Sequence, residues 1–266
     1  MFELLTSAQN PRIKQFLQLT EKSRERNKLG LFVAEGRKEI GIALRSGYRI
    51  KELFVCLSIW EGLNGAKGDP LPTADKTWAI SEAIFEKLAY RKTTDGLLAI
   101  AYQGDLGLNH LSLSDNPFVI VLESVEKPGN LGAILRTADA VGADAVIVCD
   151  RHTDVYNPNV VRSSLGCLFS VPVAICSSEE AFAWLEAKGI RILAAELQAS
   201  IWYHETDMRV PTAIVMGTEA YGLTPYWIEH AHQRVKIPML GQVDSLNVSV
   251  STAVLAYEAK RQRGFK

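Results

Sequence analysis

From Phe118 onward the chain repeats one pattern: a short apolar run, a stretch of helical character, then another apolar run. The runs "FVIVL", "DAVIVCD", "SVPVAIC", "IRILAAE", "TAIVMG" and "RVKIPM" are short and rich in Val and Ile. "LGAILRTADAVG" and "SEEAFAWLEAKG" between them read as helices. Continuous apolar strands separated by helices imply an α/β fold with a parallel sheet covered on both faces. Ligands of such sheets bind beyond the carboxyl ends of the strands.

Three loops are thereby placed at a candidate site. The first follows "FVIVLESV" and reads "EKPGNLGAILRTADAVGA", where Pro128 and Gly129 form a turn, Asn130 stands just before a helix, and that helix carries Arg136. The second, "TEAYGLTPYW", has Gly217 and Gly222 bracketing Glu219, with Thr224 and Pro225 as cap and first position of a further helix. In the third, "IPMLGQVDSLNVSV", Ile237 leads through Asp244, Ser245, Leu246 and Asn247 into a run of small and aliphatic residues. Each loop has a purely structural alternative: Asn130 and Ser245 as helix caps, Arg136 in a surface ion pair, the glycines in left-handed turns. Convergence of Asn, Arg, Glu, Ser and Asn on one sheet edge favours a binding site.

Several chemistries lack their residues. Lys127 is the only Lys, His or Cys in these loops, and Ser245 has no evident histidine partner, so no nucleophile with its base is apparent. The five histidines lack metal-ligand spacing and the four cysteines form no C-x-x-C pair, so no metal is expected. Neither a G-x-G-x-x-G after a strand nor a phosphate-binding G-x-x-x-x-G-K-[ST] loop is present. No basic and apolar leader and no membrane-length apolar run occurs, giving the expectation of a soluble cytoplasmic protein without a membrane partner.

Before the alternating region the chain reads differently. A cluster of Gly, Asp, Asn, Ser and Pro from Gly104 to Pro117 has the composition of a linker, and the expected domains are 1–107 and 117–266. "SAQNPRIKQFLQLTEKSRERNK" predicts a helix capped by Asn10 with Pro11 in its first turn, and mixed strands and helices follow. Net charge is −1, yet residues 1–50 hold ten Lys and Arg against five acids, a basic end able to meet a polyanion or simply a solvated helix face.

"NLGAILRTADAVGA", "VMGTEAYGL" and "IPMLGQVDSLNVSV", in that order, closely resemble the three motifs of the SpoU (TrmH) family of RNA ribose 2'-O-methyltransferases, in the SPOUT superfamily. The resemblance spans about residues 117–263. More weakly, "NPRIKQFLQLTEKSRERNKLGLFVAEGRKEIGIALRSG" resembles the family's small amino-terminal RNA-binding module. The resemblance implies a carboxyl-terminal trefoil knot, S-adenosylmethionine as methyl donor and a homodimer in which each site borrows surface from its neighbour. RNA is the implied substrate, ribosomal RNA first, with transfer RNA or a non-catalytic RNA binder as alternatives. It assigns Gly217, Ile237 and Leu246 to the cofactor, and Asn130, Arg136, Glu219, Ser245 and Asn247 to methyl transfer. The chain departs from the family pattern at Asp244, where many relatives carry Glu, and at Lys127, where an acid is frequent. Arg162, in "NPNVVRSSLGCLFSVPV", is either an RNA contact or an ordinary surface arginine.

Overall fold

The computed structural model describes residues 2–64, 70–90, 95–199 and 201–265. Two units emerge: Met1–Gly104 with Asp154–Ser170, and Asp105–Thr153 with Val171–Lys266. The second stretch of sequence thus lends 17 residues to the first unit.

The first unit contains, in chain order, β1 (Leu4–Leu5), α1 (Pro11–Glu21), α2 (Ser23–Leu29), β2 (Leu31–Glu35), α3 (Arg37–Arg45), β3 (Ile50–Val55), α4 (Leu57–Asn64), β4 (Lys76–Ile80), α5 (Glu82–Leu88) and β5 (Leu97–Tyr102). Its sheet runs β1-β4-β3-β5-β2, with β5 antiparallel to both neighbours. The Asn10 side chain caps α1 by accepting from the Arg12 N–H, and Pro11 supplies the fixed φ of the first helical position. The single helix expected here breaks at Lys22, whose extended backbone (φ −115°, ψ 109°) separates α1 from α2. Ile13, Phe16 and Leu19 of α1 join Val33, Phe54, Leu98 and Ile100 of the sheet in one apolar cluster.

β6 (Phe118–Glu123), α6 (Pro128–Val141) and β7 (Ala145–Cys149) open the second unit. The chain returns to the first unit through α7 (Pro158–Ser163) and α8 (Cys167–Ser170). It then resumes with β8 (Val173–Cys176), α9 (Ser178–Ala187), β9 (Arg191–Ala195), β10 (Ile201–Trp202), β11 (Thr212–Met216), α10 (Pro225–His230), β12 (Gln233–Lys236) and α11 (Val248–Gln262). All seven strands are parallel, in the order β10-β12-β9-β11-β6-β7-β8. β6, β7, β9 and β11 are buried almost throughout, as apolar runs without alternation require.

The returning segment is held by a buried ion pair. Arg26 (2% exposed) donates from Nε to Asp154 Oδ2 at 2.7 Å and from Nη1 to the carbonyls of Leu19 and Thr20. Ser23 donates to the same Asp154 oxygen, and Asp154 Oδ1 accepts the Tyr156 N–H. Phe32 stacks with Tyr156 and Phe169 at centroid distances of 4.7 and 5.5 Å, with Tyr48 edge-on. Arg26 is therefore internal, whereas Lys14, Lys22, Arg24, Lys28, Lys38 and Arg45 from the same basic stretch are exposed.

Candidate active site

β6, β11, β9 and β12 lie side by side, so four loops leave one edge of the second sheet. After β6, Ser124 turns the chain with a left-handed φ of 53° and donates its N–H to the Cys149 carbonyl. Pro128 then opens α6, so Asn130 is its third residue and lies inside the helix, not ahead of it. After β11, the chain doubles back: Thr218 and Gly222 exchange both backbone hydrogen bonds at 3.0 Å. A Cβ on Gly217 would fall 2.2 Å from the Gly222 carbonyl group, so only glycine permits this closeness. After β12 an exposed loop runs to Asn247, the cap of α11.

The three loops meet at the Glu219 carboxylate. Oε1 accepts the Asn130 side-chain N–H at 2.8 Å and the Asn247 side-chain N–H; Oε2 accepts from Lys127 Nζ. Asn247 uses both ends of its amide: Oδ1 accepts the Ser249 N–H at 3.0 Å to cap α11, while Nδ2 also reaches Asn130 Oδ1 at 3.3 Å. The Glu219 loop is fixed at its far end by Glu123, buried at the end of β6. Its Oε2 accepts the Thr224 N–H at 2.8 Å and its Oε1 the Thr224 hydroxyl at 2.6 Å.

Beside this cluster lies a cavity of about 470 Å³ lined by Gly217, Glu219, Ile237, Ser245 and Leu246 among others. Its wall includes residues that the sequence reading did not single out. Ala195 ends β9 and Glu196, Leu197 and Gln198 follow it, and Ser251 and Leu255 belong to α11. "IRILAAE" was legible as a strand of the same sheet, and the edge rule applies to its carboxyl end as well. Arg136 stands apart: it is exposed, outside the lining and without a hydrogen bond to the Glu219 cluster. Six residues along α6 carry it about 9 Å along the axis and about 120° around it from Asn130.

The hydrogen bond from Lys127, with further donation by Asn130, holds the Glu219 carboxyl below the usual carboxylate range. The same bond raises Lys127. Glu219 is thereby an ionised hub with three donors on its two oxygens, and the lowered pKa makes it a weaker base than a free carboxylate. Among the described residues no His, Cys, Asp and Glu group could hold a metal ion, and no helix is long and apolar enough to cross a membrane.

The sequence profile of the SpoU rRNA methylase family matches residues 117–257. The chain belongs to that family. In this SpoU methylase, residues 10–99 also match the MRM3-like substrate binding domain. A Bacillus subtilis (strain 168) relative, 23S rRNA (guanosine(2553)-2'-O)-methyltransferase RlmP, is 29% identical over 96% of this chain and 98% of its own. A crystal structure of an RNA 2'-O ribose methyltransferase superposes with a TM-score of 0.83 at 38% identity, covering 98% of this chain and 99% of that one. The AdoMet-bound rRNA methyltransferase from Sinorhizobium meliloti gives 0.86 at 29% identity, covering 98% of each chain.

Two expected results arise from this SpoU methylase's geometry. Gly217→Ala forces the Gly222 backbone away, with a stability loss of about 1–3 kcal/mol from overpacking; if the cavity is the cofactor site, titration calorimetry should record about tenfold weaker S-adenosylmethionine binding. Unchanged affinity would exclude the cavity as the cofactor site. The second concerns pH. Folding lowers the Glu219 pKa, so its contribution to stability is full above the unfolded value, that of an ordinary Glu at 4.5, and is lost as pH falls through the lower folded value. Wild type should therefore exceed Glu219→Gln in thermal stability at neutral pH by a margin that shrinks in acid. A margin that grows in acid would contradict the assignment.

Proposed function

We propose that this protein transfers a methyl group from S-adenosylmethionine to a ribose 2'-hydroxyl of RNA, with ribosomal RNA as substrate, and works as a cytoplasmic homodimer. The observation carrying this reading is the meeting of Asn130 from the first turn of α6, Glu219 from the loop after β11 and Asn247 from the cap of α11, beside the cavity lined by Gly217, Ile237, Ser245 and Leu246.

The cavity fits the cofactor: it is roomy, combines apolar walls from Ile237, Leu246 and Leu255 with polar groups, and depends on a backbone approach that a Cβ at Gly217 would block. Gly217, Ile237 and Leu246 would hold the cofactor through backbone and apolar contacts. When bound, S-adenosylmethionine supplies an electrophilic methyl group on a sulfonium. Asn130 and Asn247 orient the ribose, and Glu219 fixes both amides; Ser245 orders the rim between them. Arg136 grips the phosphate next to the target and stabilises negative charge developing on the 2'-oxygen. A guanidinium stays protonated, so the hydroxyl proton leaves to water or phosphate.

In this reading α11 is threaded through the preceding chain as a trefoil knot. Support comes from the packing of α11 on α6 and β11 and from its small residues Ser249, Ser251, Thr252, Ala253 and Ala256. The homodimer gives a use to Arg136, which is exposed and turned away from Asn130, as a side chain lent to the neighbouring site. The unit containing residues 10–99 presents exposed cations to the RNA.

Tritiated S-adenosylmethionine incubated with ribosomal RNA, transfer RNA and the purified protein tests the proposal, followed by ribose-methylation mapping. Incorporation into ribosomal RNA at a 2'-oxygen is expected. Labelling of transfer RNA alone would reassign the substrate, and cofactor binding without incorporation would leave a non-catalytic RNA binder.

A further inference from the structure

The ion pair between Lys127 and Glu219 has a side facing outward. Lys127 is 68% exposed at the head of α6, and its Nζ gives one hydrogen bond to Glu219 Oε2. An ammonium carries three donors, so two remain. Glu219 is the acid at the meeting point of the three loops, and a bare carboxylate there would repel a phosphodiester. Lys127 cancels that charge, and the positive end of the 14-residue α6 adds to the local field. Lys127 is absent from the cavity wall, while Glu219 belongs to it; the two remaining donors therefore lie outside the cavity, on a side chain open to solvent.

The geometry points to Lys127 as an RNA-phosphate ligand that bridges the Glu219 carboxylate and a backbone phosphate of the substrate, a second cation for the site beside Arg136. The inference rests on the methyltransferase reading. Its raised pKa agrees with this role, because the ammonium stays charged throughout the neutral range. Lysine suits the task as a compact point charge with rotatable donors, able to serve two anions at once.

The experiment measures binding of fragmented ribosomal RNA by fluorescence anisotropy as a function of salt, for wild type, Lys127→Gln and Lys127→Arg, with calorimetric titration of S-adenosylmethionine alongside. Each phosphate neutralised on a single strand contributes about 0.7 to the slope of log affinity against log salt. Lys127→Gln keeps a donor for Glu219 but loses the charge, so its slope should fall by about 0.7. Lys127→Arg should keep the wild-type slope, and both variants should keep wild-type cofactor affinity. An unchanged slope in Lys127→Gln, or a loss confined to cofactor affinity, would make Lys127 a brace for Glu219 alone and overturn the inference. Wild-type protein that binds no RNA would remove the methyltransferase reading itself, and this inference with it.

Discussion

Arg136→Ala should lower the rate of methyl transfer by about 10²–10³-fold or more, the range seen when a preorganised electrostatic donor is removed from a developing oxyanion. Cofactor affinity should be unchanged, because Arg136 takes no part in the cavity wall. The structure sharpens the test. Arg136 is exposed and turned from Asn130 around α6, so in a homodimer it is available to the neighbour's site. Arg136→Ala protomers mixed with Asn130→Ala protomers should then regain turnover, since one site of each mixed pair receives an intact asparagine and an intact arginine. Absence of recovery in demonstrably mixed dimers would return Arg136 to its own protomer. Wild-type turnover in Arg136→Ala alone would remove it from the chemistry.

The largest expected stability effect lies far from this chemistry. Arg26→Ala should cost about 3–5 kcal/mol, because it leaves the Asp154 carboxylate, 8% exposed, without a counter-ion and with only the Ser23 hydroxyl and the Tyr156 N–H as donors. It also strips the Leu19 and Thr20 carbonyls of their donor. Against a typical total of about 5–15 kcal/mol, that is a large fraction. Chemical denaturation read by fluorescence measures it. Arg26→Met with Asp154→Leu should recover part of the loss, since neither charge is then stranded. A cost below about 1 kcal/mol for Arg26→Ala would mean that the ion pair contributes no more than a surface one.

The sequence announced the parallel sheet because its strands are buried on both faces and so read as uninterrupted Val and Ile. The two-residue strands β1 and β10 carry too few side chains to leave a pattern, and β4 ("KTWAI") opens with polar residues. Helix α1 was visible through Asn10 and Pro11, whereas its interruption at Lys22 was hidden, since nothing in the local composition forbids a continuous helix there. At the site, Asn130, Glu219 and Asn247 were visible as polar residues at strand ends. Their shared carboxylate was not, nor was the partnership of Lys127 with Glu219, 92 positions along the chain. Arg26 read as one more cation of a basic helix, because its partner Asp154 is 128 residues away.

That distant pairing bears on how such enzymes diversify. The chain passes between the two units three times, after Gly104, after Thr153 and after Ser170. Recombination that transplants residues 1–104 onto another second unit would omit Asp154, Tyr156 and Phe169, leaving Arg26 uncompensated and Phe32 with Tyr48 but without the two rings it stacks on. Residues 1–104 can therefore be exchanged as a folded unit only if the α7–α8 excursion travels with them.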